Sequence, residues 1–145
     1  MLAKQINTLS ESTPVDIAIV QTRQYTRIAR TKVLFYVALT AIFILAFSPN
    51  YNALPSFVTV SDLLNHTAAF AVLFLLLSQA YPPLSTRSVF VILFSNAVWI
   101  EAVQYFLPTR STDWRDIIAD SVGMLVGYLL IYLFRRLRHA KTLYI

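Results

Sequence analysis

Residues 117–134 read IIADSVGMLVGYLLIYLF, an unbroken apolar run with no proline and one charged side chain, Asp120. As a helix the run rises about 27 Å, close to the roughly 30 Å hydrocarbon layer of a bilayer. It reads as a membrane span, and an acid inside such a span is costly enough to call for a reason. Just upstream, residues 101–110 read EAVQYFLPTR and close a second apolar run at 89–107, with Asp113 and Asp116 between the two runs. Of the seven acids in the chain, Asp62, Glu101, Asp113, Asp116 and Asp120 all lie at or inside the ends of apolar segments.

Moving outward, residues 63–80 and 33–48 supply two further spans, the latter short enough to borrow from its flanks. Pro49, Pro82, Pro83 and Pro108 punctuate the runs, since proline stops a helix or bends its approach. Charged residues make up 13% of the 145, about half the share of an ordinary soluble domain, and 57% are hydrophobic. The expected fold is all-α: a polytopic membrane bundle of four transmembrane helices. With no cysteine, disulfides, thiolate nucleophiles and Cys-ligated metal centres are excluded.

The net charge of +5 does not form a nucleic-acid patch, because the basic residues flank apolar runs or sit in the tails. Lys4, Arg23, Arg27, Arg30, Lys32, Arg87, Arg135, Arg136, Arg138 and Lys141 fall on one side of the predicted spans, and only Arg110 and Arg115 on the other. The positive-inside rule then places both termini in the cytoplasm and the acids on the exterior face. The domain plan is a cytoplasmic tail over residues 1–31, a transmembrane domain over 32–135 and a basic cytoplasmic tail over 136–145. The first tail lacks the pattern of a removable secretory signal. Its weakly amphipathic stretch at 15–28 reads equally as disordered or as lying on the anionic inner leaflet.

Asp62 and His66 stand one helical turn apart and share a face, enlarged by Asn65 and Thr67. Asp62 is also explained as a first-turn acid favoured by the helix dipole, a role His66 cannot take. Glu101, Gln104 and Tyr105 form one polar stripe, on which the Glu101 carboxylate needs a cation, Arg110 or Arg115, or a proton. Capping of the fourth helix accounts for Asp113, with Asp116 in the reciprocal position of a capping box. It does not account for Asp120, which shares a stripe with Asp116, Gly123 and Gly127. The two glycines, in Gly-x-x-x-Gly spacing, predict a close helix contact. No His-x-x-x-His or comparable spacing marks a metal site, so no metal or cofactor is expected, although His66 with several carboxylates is a ligand set.

Together these residues resemble the VanZ-like family of small bacterial membrane proteins. The resemblance rests on Asp62 and His66, on Glu101, Gln104, Pro108 and Arg110, and on Asp116, Asp120, Gly123 and Gly127 at their spacings, and covers residues 34–133. Leu63 stands where the family usually has lysine, and Asp120 where it usually has asparagine. The resemblance implies a multi-pass protein of the bacterial cytoplasmic (inner) membrane, in the envelope setting of a family named for teicoplanin resistance. The expected function is binding of a lipid-linked or acylated amphiphile in an exterior-side pocket built from Asp62, His66, Glu101, Gln104, Arg110, Asp116 and Asp120. Expected partners are membrane lipids, a lipid-linked envelope precursor or an acylated glycopeptide, with no nucleic acid and with a homo-oligomer left open. Two alternatives stand beside it. One is an enzyme modifying an envelope lipid, with His66 or Glu101 as general base, Arg110 and Arg115 stabilising charge, and Ser111 or Ser121 weighed as nucleophile. The other is a proton or ion carrier using Glu101 and Asp120.

Overall fold

The structure, a computed structural model, describes residues 13–48, 62–108 and 113–143. Four helices follow in order: α1 (Pro14–Ala46), α2 (Asp62–Ala80), α3 (Thr86–Gln104) and α4 (Trp114–Leu143). All four are long and apolar enough to cross a membrane, and no strand occurs among the described residues. Leu34, Val37, Ile44, Val72, Val91, Phe94, Val98, Leu125 and Leu129 lie exposed on their outer faces. Apolar surface on that scale is lipid-facing surface, because water would not tolerate it on a monomer.

Helix α1 begins at Pro14, well before the 33–48 run. Thr13 and Asp16 form a reciprocal capping box, with the Thr13 N–H donating to Asp16 Oδ2 (3.1 Å) and the Asp16 N–H to Thr13 Oγ1 (3.3 Å). Pro14 occupies the first helical position, where a missing N–H costs nothing. No breaker intervenes, so the polar stretch at 15–28 is continuous with the first span as one 33-residue helix. Helix α3 likewise starts earlier than the apolar run, at Thr86, because Ser85 caps it by accepting the Ser88 N–H at 3.1 Å. It ends at Gln104, and a turn carries the chain through Leu107 to Pro108. Proline disfavours a helical conformation for the residue before it, which brings the end forward from 107. Helix α4 runs through the basic residues past Phe134 to Leu143.

On α3 the buried residues Val89, Leu93, Ala97, Ile100, Glu101 and Gln104 form a single stripe. Its first four pack with Phe70, Leu73, Phe74 and Leu77 of α2, Met124 of α4 and Phe35 of α1 in one core. The polar end of the stripe is therefore aimed inward by the same register that buries the apolar part. Helices α2 and α4 make the most extensive pair. A Cβ on Gly123 would overlap the Thr67 carbonyl oxygen and lie 3.1 Å from the Ala71 nitrogen. One on Gly127 would lie 2.8 Å from both the Ala71 oxygen and the Phe74 Cβ. At these two positions the backbones approach so closely that only glycine fits.

Candidate functional site

The α1 C-terminus, α2 N-terminus, α3 C-terminus and α4 N-terminus meet at one end of the bundle, as the Gln104–Ala46 and His66–Asp120 contacts show. His66, one turn into α2, faces α4. Its Nδ1–H donates to Asp120 Oδ1 at 2.9 Å, and its Nε2 stands 3.8 Å from Asp116 Oδ2. Thr67 Oγ1 donates to the Ala119 carbonyl at 3.2 Å, tying the helices together just above the glycine contact. Asp120 is 1% exposed and Asp116 6%, so the imidazole is held between two acids that the bundle shields from solvent.

Asp62 is exposed, one turn nearer the end, and interacts electrostatically with both His66 and Asp116. Glu101 approaches from α3 and is 4% exposed. Its electrostatic neighbours are Asp116, His66 and Asp120. The Asp113 backbone N–H lies toward it, yet neither carboxylate oxygen completes a hydrogen bond among the described residues. Asp120 Oδ2 is buried and unpartnered in the same way. The structure thus brings Asp62, His66, Glu101, Asp116 and Asp120 together as four carboxylates around one imidazole.

The other candidates separate from that group or lie outside the description. Gln104, 2% exposed, donates its amide N–H to the Ala46 carbonyl at 3.0 Å. That carbonyl belongs to the last turn of α1, so Gln104 joins α3 to α1. Arg110 and Ser111 lie outside the described residues. Arg115 is exposed and forms no ion pair with Glu101 among the described residues. Asp113 Oδ1 caps α4 by accepting the Arg115 N–H at 2.9 Å, while the Asp116 side chain turns to His66 instead of closing the reciprocal half of the box. Ser121 donates back to the Ile117 carbonyl at 2.8 Å within its own helix.

Sequence reasoning passed over Asn96, whose Oδ1 is buried without a partner among the described residues, one helical turn before Ile100 on the inner side of α3. The only available signal was an amide inside an apolar run. It also passed over the Ala46 carbonyl as the acceptor for Gln104, which no side-chain pattern announces.

Four lipid-facing helices that gather a cluster of acids around a histidine at one end of the bundle define a multi-pass membrane protein. A family model described as VanZ/LLP1 matches residues 8–135, and the chain belongs to that family. No curated protein and no solved structure matches it.

Proposed function

We propose that the polar cluster of this VanZ-family protein binds the head group of a lipid-linked or acylated amphiphile at the outer leaflet of the bacterial cytoplasmic membrane. The observation that carries this reading is Glu101, a carboxylate withdrawn from water whose two oxygens complete no hydrogen bond among the described residues, facing a cluster already rich in acid. An uncompensated buried acid is costly, and a cationic group of a ligand compensates it. In this reading an amine of the head group meets Glu101 and the aspartates, Arg110 meets an anionic group, and the exposed apolar faces of α2 and α4 flank the acyl chain. Lipid mass spectrometry of the protein purified in mild detergent tests it. The expected result is one co-purifying class of amphiphile bearing an amine, reduced when Glu101 is replaced by glutamine; only bulk phospholipid, equal in both proteins, counts against it.

The basic flanks support the exterior placement, with ten Lys and Arg on the side of the termini and two on the side of the cluster. A reporter active only in the cytoplasm, fused after Ile145, is expected to give signal, and the same reporter inserted at Asn52 to give none. An expressed but silent C-terminal fusion reverses the orientation and moves the cluster to the inner leaflet.

One observation favours a second reading, an enzyme acting on an envelope lipid. Asp120 holds His66 through Nδ1, the arrangement that orients an imidazole to act as general base through Nε2. Substrate turnover that is lost in His66→Ala would select this reading over binding alone.

A further inference from the structure

We propose that Asp62, His66 and Asp116 form a binding site for a divalent first-row metal ion, zinc or manganese, at the polar end of the bundle. One ligand atom from each residue lies within 4.8 Å of the others. Two ligands on one such ion, at bonds of about 2.0–2.2 Å, stand roughly 3–4.4 Å apart according to the angle between them. His66 Nε2 and Asp116 Oδ2, at 3.8 Å, fall inside that interval. The same separation is too long for a hydrogen bond. Asp62 completes the set from an exposed position at the start of α2, its carboxylate within 4.8 Å of the other two ligand atoms.

The far side of the imidazole is already arranged for this role. Its Nδ1 lies 2.9 Å from Asp120 Oδ1, the carboxylate partner that orients a metal-ligating imidazole from behind, and its Nε2 is the ring nitrogen nearest Asp116 Oδ2 at 3.8 Å. Independently of the three ligands, Glu101, 4% exposed, brings toward Asp116, His66 and Asp120 a carboxylate that completes no hydrogen bond among the described residues. A dication among these acids offsets their mutual repulsion and gives Glu101 a counter-charge, or a metal-bound water to hydrogen-bond. One imidazole with carboxylates and no thiolate suits zinc or manganese better than copper(I) or calcium.

The site does not depend on the head-group reading, since the ion binds the protein alone. The test uses the full chain without a polyhistidine tag, stripped with chelator, returned to lipid-free detergent and titrated calorimetrically with Zn²⁺ and separately with Mn²⁺. One ion per chain is expected. Asp62→Asn, which alters an exposed residue at a helix end and leaves the core intact, is expected to weaken it at least tenfold. Asp120→Asn, which releases the imidazole, is expected to weaken it by about 10–100-fold. The proposal is overturned if the folded parent shows no saturable binding of either ion below about 1 mM. It is equally overturned if Asp62→Asn and Asp116→Asn bind as the parent does, which would mean adventitious surface binding. Stoichiometric metal with no amphiphile retained sinks only the head-group reading, and an amphiphile retained in chelator with no metal uptake sinks only this one.

Discussion

Replacing Gly123 by leucine is expected to destabilise the bundle by about 3 kcal/mol or more, at the upper end of what over-packing a close contact costs. The reason is the identity of the obstacle. A flexible side chain can move aside, but the first atom of any side chain at 123 meets the carbonyl of Thr67, part of the α2 backbone. Relief requires the whole helix to retreat, and with it the Thr67–Ala119 hydrogen bond and the His66–Asp120 pair immediately above. Gly123→Ala should show the same defect in smaller measure. Leu129→Ile, on the exposed face of the same helix, should leave stability within about 0.5 kcal/mol of the parent. Thermal unfolding in detergent measures all three, and a Gly123→Leu protein as stable as the parent would mean that α2 and α4 do not meet there.

Glu101→Gln is expected to leave the protein inserted and folded while weakening amphiphile binding by roughly 10–100-fold, the scale of one hydrogen bond to a charged group. The substitution keeps shape and burial and removes only the charge. Measured in chelator, so that metal does not contribute, His66→Ala with Glu101→Gln should cost less than the two single changes added together, because groups sharing one ligand act as a unit. Strict additivity, or full binding by Glu101→Gln, would reduce the cluster to a structural polar network. In that event Glu101→Gln would be expected to raise stability, since replacing an uncompensated buried charge by a neutral group relieves its desolvation.

The four spans were legible because apolar length and proline are one-dimensional signals, and each span lies where its run places it. The starts of α1 and α3 were missed for a complementary reason: Thr13–Asp16 and Ser85–Ser88 begin helices through hydrogen bonds that hydropathy does not weigh. Within the site, spacing put Asp62 with His66 on one helix and Asp116 with Asp120 on another. Sequence spacing carries no information about how two helices are rotated against each other. That rotation decides that His66 meets Asp120 at 2.9 Å, that Gln104 turns to Ala46, and that Arg115 stays away from Glu101. The glycines at 123 and 127 were the strongest rotational clue, since a close contact fixes which face of α4 looks inward.

The close glycine contact joins the second and fourth spans, and this orders the steps of the bundle's biogenesis. A ribosome working at about 5–20 residues per second needs roughly 2–7 s to advance from Ala80 to Trp114. Throughout that interval α2 is already made while the glycine face that covers Thr67 and Ala71, and the aspartate that accepts from His66, do not yet exist. The nascent chain must therefore shelter a polar helix end, at the membrane–water boundary or against the insertion machinery, until α4 arrives. Assembly of the bundle and completion of its polar cluster are consequently the same late event, and a chain terminated after α3 would carry His66 with neither Asp116 nor Asp120 beside it.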